Sequence, residues 1–255
     1  GWNGRLINLI HSTYYLSIST LNHSKLNPYL AFLKCIPNAM LKKLLSVHVC
    51  FLFINYGFSQ FSEANNFSWQ GGNINQLHIG DMENDGDLDI MEGSYYGVFH
   101  YYENIGTQSA PSYSGPIENP FGLEATNQYA ALNAADLDND GDFDILAGEY
   151  YGNLKYFENI GTSNTPNYAT QVLNPFGLNI GYILATPELV DLDNDGDLDA
   201  LIGEYGGNFK YYQNTGDVSN PNFGTPIQNP FGLGQSYLLG YPSSVDLDDD
   251  GDMDL

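Results

Sequence analysis

The chain has 255 residues, 31 Asp and Glu against 7 Lys and Arg, and a formal net charge of −24. Residues 1–60 hold no acid and five of the seven basic residues (Arg5, Lys25, Lys34, Lys42 and Lys43), so all acids lie from Phe61 onward, against Lys155 and Lys210 alone. Such a surface repels nucleic acid and anionic membrane and excludes both as partners, while Tyr, Phe, Leu and Ile at recurring places argue against disorder.

In chain order, residues 1–39 contain no Met, no acid and no copy of the later repeat, and read as upstream translation or an extension. Met40 then opens a segment with the three zones of a secretory signal peptide, residues 40–59: Lys42 and Lys43, an apolar run from Leu44 to Ile54, and small residues Gly57 and Ser59 before Gln60. The apolar run is about half of what a spanning helix needs, so no stable membrane insertion is expected after cleavage. A membrane-anchored N-terminal extension is the alternative. Cleavage as a lipoprotein at Cys50 is disfavoured, because His48 and Val49 are not small. Cys35 and Cys50 are the only cysteines. The mature chain is therefore expected to lack thiols and to need another kind of cross-link.

Residues 60–255 form the repeat region. The run DLDNDGDFD from Asp136 returns as DMENDGDLD from Asp81, DLDNDGDLD from Asp191 and DLDDDGDMD from Asp246, a constant step of 55 residues. A fixed period of this size marks a repeat architecture. Oxygen-bearing side chains at positions 1, 3, 5 and 9 with Gly at position 6 suit a hard cation of calcium's size, which takes six to eight oxygens around a sharply turning loop. The candidate ligands are Asp81, Glu83, Asp85, Asp87 and Asp89 in loop 81–89, and Asp136, Asp138, Asp140, Asp142 and Asp144 in loop 136–144. They are Asp191, Asp193, Asp195, Asp197 and Asp199 in loop 191–199, and Asp246, Asp248, Asp250, Asp252 and Asp254 in loop 246–254. Gly86, Gly141, Gly196 and Gly251 make the turns, and position 7, as at Asp142, offers its backbone carbonyl. About one Ca²⁺ per loop is expected.

Within the second repeat, YAALNAADLD reads as a strand entering the loop. FDILAGEY leaves it as a second strand, apolar almost throughout and so expected to be buried on both faces. The tip Tyr150 to Asn153 reverses the chain. NLKYFENIG follows as a third strand and NYATQVL as a fourth, closed by NPFGL at Asn174 to Leu178, whose counterparts start at Asn119 and Asn229. Four short antiparallel strands per repeat make an all-β, β-propeller-type blade. An EF-hand is disfavoured, since Glu92 at position 12 of the first loop is replaced by Ala147 and Ile202 and the flanks suit strands.

The pattern DxDxDGxxDxxxG, ending at Gly93, Gly148 and Gly203 and followed by a YGN-type turn and YFENIGT, resembles the FG-GAP-like or VCBS repeat, which is related to the calcium-binding blades of the integrin α-chain propeller. The resemblance covers about residues 70 to 255 and implies a secreted or cell-surface β-propeller with one calcium per loop. Phe121-Gly122, Phe176-Gly177 and Phe231-Gly232 are candidates for the family's Phe-Gly element. Glu83 departs from the usual Asp or Asn at position 3. Leu255 follows directly on the fourth loop, so the chain is read as a fragment, truncated at its C-terminus: about three blades plus the start of a fourth.

The function expected is a secreted, non-enzymatic calcium-binding module for adhesion, with an extracellular glycan or protein as ligand. Tyr95, Tyr96, Tyr150, Tyr151 and Tyr205 are expected on the rim opposite the loops, either exposed for stacking or packed between blades. The alternatives are a non-catalytic part of a secreted polysaccharide-degrading enzyme and a structural spacer in a large surface protein. A catalytic pair should break the repeat, and Glu118, Glu124 and Glu188 do so, but they are scattered. His78 and His100 have no evident nucleophile partner. No catalytic residue is assigned.

Overall fold

The computed structural model describes residues 76–181, 183–235, 239–248 and 250–255. The expectations for residues 1–39 and for the signal peptide at 40–59 lie outside the described residues. Among the described residues no helix is long and apolar enough to cross a membrane.

Among the described residues, three four-stranded antiparallel sheets follow one another. The first comprises β1 (Gln76–Gly80), β2 (Asp89–Gly93), β3 (Phe99–Tyr102) and β4 (Ile117–Glu118). In the second are β5 (Ala131–Ala135), β6 (Asp144–Gly148), β7 (Leu154–Phe157) and β8 (Val172–Leu173), and in the third β9 (Thr186–Val190), β10 (Asp199–Gly203), β11 (Phe209–Tyr212) and β12 (Ile227–Gln228). Each sheet runs in simple sequence order, and the sheets of the described residues do not close into a ring. This is the propeller-type blade expected from the repeat, with one difference. The fourth strand is only two residues long and exposed, because after Tyr168 bridges to Asn159 the chain leaves the ladder before rejoining it.

The pairing fixes where the loops lie. Asp89 pairs with Gly80 and Asp144 with Ala135, so each acidic loop joins the first two strands of its sheet. At the other end, the Glu149 N–H donates to the Asn153 carbonyl at 3.0 Å and closes the hairpin between β6 and β7.

The core lies between successive sheets. The apolar run of the middle strand is buried at every position, as it must be in a sheet covered on both faces. Ile145, Ala147 and Phe157 face the first sheet, packing with Met91, Phe99 and Tyr101. Leu146, Leu154 and Tyr156 face the third, packing with Leu189, Ala200 and Ile202. Period-two alternation thus serves two interfaces at once.

The first strands β1, β5 and β9 lie side by side, and the segment NPFGL links one sheet to the next. Asn174 and Phe176 sit in the left-handed region, and the Phe176 ring lies 4.9 Å from that of Tyr156 and 6.4 Å from that of Phe223. Its carbonyl accepts from the Phe223 N–H at 2.9 Å, as that of Phe121 accepts from Tyr168 at 2.8 Å.

Candidate metal centre

The second loop shows how the sequence wraps carboxylates around one point. Asn139 and Gly141 both take positive φ, 60° and 96°, conformations that Asn and Gly adopt at little cost. The two reversals turn backbone N–H groups inward. Asp136 accepts from the Asp140 and Gly141 N–H groups at 3.0 and 3.1 Å, and Asp140 accepts from Asp142 at 3.2 Å. The third loop repeats these bonds at Asp191 and Asp195 with distances of 3.0 to 3.2 Å, and the first at Asp81 and Asp85 with 2.9 to 3.1 Å. The role of Asn139 is not evident from the carboxylate pattern alone, although Asn recurs there as Asn84 and Asn194 with the same sign of φ.

Position 9 holds the loop to the sheet. Asp144 is 2% exposed at the first residue of β6. It accepts from the Leu137 N–H at 3.3 Å, the Asn159 N–H at 2.8 Å and the Tyr156 hydroxyl at 2.8 Å. Asp199 has the matching partners Leu192, Asn214 and Tyr211. Burial pushes the Asp144 carboxyl up to about 7, against the downward pull of the Asn159 and Tyr156 hydrogen bonds. Asn159 is itself buried, and its Oδ1 accepts from the Gly161 and Asn167 N–H groups at 3.0 and 2.9 Å. The signal for this anchor was the Asn of YFENIGT, recurring as Asn104 and Asn214.

Position 7 carries carboxylate oxygens that lack a donor. Asp142 is only 8% exposed, yet its Oδ1 is buried without a hydrogen-bond partner, as are those of Asp87, Asp197 and, at position 3, Asp138. Desolvation first, then the charges of Asp140, Asp138 and Asp136, raises the Asp142 carboxyl to about 6, and the same causes raise Asp197 to about 6. Buried carboxylate oxygens are normally paired, and oxygens left without a donor beside other carboxylates are suited to a cation. The sequence offered the backbone carbonyl of Asp142; the structure adds its side chain.

Ligand oxygens come within 4.8 Å of one another in Asp136, Asp138 and Asp140, in Asp191, Asp193 and Asp199, and in Asp246, Asp248 and Asp250. These clusters are able to hold a metal ion. In the fourth loop the two arms are paired, Val245 and Asp254 exchanging N–H···O bonds of 3.0 Å, and the Asp252 N–H donates to Asp250 at 3.1 Å. The first loop is built differently: no such group forms there among the described residues, and Glu83 accepts a hydrogen bond from the Tyr101 hydroxyl.

Away from the loops, the other candidates have their own partners. Glu118 meets His100 at 4.0 Å, Glu124 accepts from Gln171 at 3.3 Å, and Glu188 accepts from Asn133 at 3.0 Å and from the Ser244 hydroxyl at 2.7 Å. Each is held in a separate place. His78 accepts from the Ala134 N–H at 3.4 Å and meets the edge of Phe143, bridging two first strands. Lys155 and Lys210 form ion pairs with Glu149 and Glu204 at 3.5 and 3.1 Å, in surroundings that leave Lys155 4% exposed. These pairs were not anticipated, although Glu149 and Glu204 stand one repeat apart. On the rim, Tyr95 and Tyr150 are partly buried against Tyr129 and Leu184. Tyr96 and Tyr151 are 72% and 64% exposed, each edge-on to its neighbour, and Tyr205 is 39% exposed. Of the two expectations for these rings, each therefore holds for part of the set.

No curated protein matches the chain. The model of the FG-GAP-like repeat matches residues 136–202, from the second loop into β10. That match lies among recurring acidic loops and four-stranded antiparallel sheets, an arrangement consistent with an FG-GAP-like repeat protein built of β-propeller-like blades.

Proposed function

We propose that the chain is a calcium-stabilised, non-enzymatic binding module that works outside the cell. The observation that carries this reading is the unpartnered, buried carboxylate oxygen of Asp142 with its equivalents Asp87 and Asp197, each inside a loop whose N–H groups already hold the other acids in place. These oxygens lie beside other carboxylates with no donor of their own. Calcium supplies the missing charge and oxygen-seeking coordination. The residues that would hold it are those at positions 1, 3, 5, 7 and 9, while Asn159 and Tyr156 keep Asp144 oriented from outside the ligand set. Near-millimolar extracellular calcium would keep weak sites filled, and a site with calcium about tenfold above its dissociation constant stabilises the fold by roughly 1.4 kcal/mol.

For the ligand, the exposed Tyr96, Tyr151 and Tyr205 favour an extracellular glycan or protein that stacks on aromatic rings at the end opposite the loops. Placing the sites at one end and the rings at the other gives calcium a structural task and the rim a binding one. Melting the full chain in calcium and in chelator tests the first part. A clear fall on chelation is expected, and an unchanged melt contradicts it.

A further inference from the structure

We infer that the first loop is the weak calcium site of the array, because Glu83 is held by Tyr101 and has to be drawn away before the loop can close on an ion. The inference rests on the calcium reading above and concerns how the sites differ.

Two observations converge on it. The tyrosine that follows each loop has the same place in the third strand, at Tyr101, Tyr156 and Tyr211. In the second and third repeats its hydroxyl donates to the position-9 carboxylate, at 2.8 Å to Asp144 and 2.8 Å to Asp199. In the first it donates to Glu83 instead, and the Glu83 carboxyl also lies against that of Asp89. The extra methylene of Glu lets position 3 reach inward to a ring that is only 2% exposed between the first two sheets. The second observation is the outcome for the ligands. Oxygens of three carboxylates gather within 4.8 Å in the other three loops, whereas none do in the first among the described residues.

The backbone of the first loop is not the cause. Its Asp81 and Asp85 bonds match those of the second and third loops, and its Asp87 Oδ1 is buried and unpartnered like theirs. Asn164 of the second repeat holds the loop from outside, donating to the Asn84 carbonyl at 3.2 Å. The loop is folded to receive an ion, and one side chain is turned the wrong way. Turning it back loses a hydrogen bond to a carboxylate, which weakens binding by about tenfold or more.

The test is a calcium chloride titration of the full chain, followed by the amide resonances of Gly86, Gly141 and Gly196, each of which donates to the first carboxylate of its own loop. Gly141 and Gly196 are expected to saturate first, and Gly86 at roughly tenfold higher calcium. Glu83→Asp shortens the arm out of reach of Tyr101, and Tyr101→Phe removes the donor while keeping the ring. Either variant should bring Gly86 into step with the others. Gly86 moving in step in the unaltered chain, or staying behind in both variants, overturns the inference but leaves the calcium reading intact. No response at any of the three glycines overturns both.

Discussion

Gly148, the last residue of β6, lies so close to the Ala185 carbonyl of the next repeat that a Cβ placed on it would stand 2.0 Å from that oxygen. The same distance is 1.7 Å from Gly93 to the Ala130 carbonyl and 2.1 Å from Gly203 to that of Gly240. The final Gly of the repeated pattern therefore has a task distinct from the acids before it. It sets how closely one sheet approaches the chain entering the next.

Gly148→Ala should accordingly destabilise the fold by about 3 kcal/mol or more, since the clash is with backbone and can be relieved only by moving two sheets apart. Gly115→Ala, where an added Cβ meets nothing within 4 Å, should be near neutral. Chemical denaturation of the two variants in saturating calcium makes the comparison. Equal midpoints would remove the spacing role.

Lys155 forms a 3.5 Å ion pair with Glu149 in a site where both side chains are almost completely buried. Lys155→Ala leaves a carboxylate with Asn127 and Asn153 as its remaining donors. The expected cost is about 3 kcal/mol or more, as for other buried pairs broken on one side. Calcium stoichiometry should stay the same, because the pair stands at the hairpin end. A variant as stable as the parent would mean that the pair is solvated in solution.

His78 gives the fold an acid-sensitive contact. Burial lowers its pKa to about 4, against about 6.5 in an unfolded chain. Between these values the unfolded state binds the extra proton, so this contribution to stability is complete above about pH 6.5 and is lost as pH falls toward 4, to a limit of about 3 kcal/mol. Protonation also removes the acceptor for the Ala134 N–H. His78→Asn, the residue found one repeat later at Asn133, should flatten the difference in melting temperature between pH 7 and pH 4.5. Identical pH profiles would show that His78 does not titrate with unfolding.

Much of this was legible in the sequence. A constant step of 55 residues and the run DILAG were enough for four-stranded sheets buried on both faces, because hydrophobic period and spacing are local signals. The acids and the turning glycines were legible for the same reason. What stayed hidden depends on neighbours in space. Glu149 and Lys155 meet across a hairpin, Asp144 is anchored by Asn159 from the far end of β7, and Gly148 is required by a carbonyl of another repeat. The difference of the first loop was visible as Glu83. Its consequence needed the position of Tyr101, since one methylene decides which partner a carboxyl reaches.

We propose that these loops bind calcium, which a calorimetric calcium titration of the full chain beside Asp140→Ala would show or refute. Three or four equivalents are expected for the parent chain and one fewer for the variant, because Asp140 both contributes an oxygen to the second cluster and holds the Asp142 N–H. Equal stoichiometry in the two proteins, or no heat of binding from a folded parent, would contradict the account.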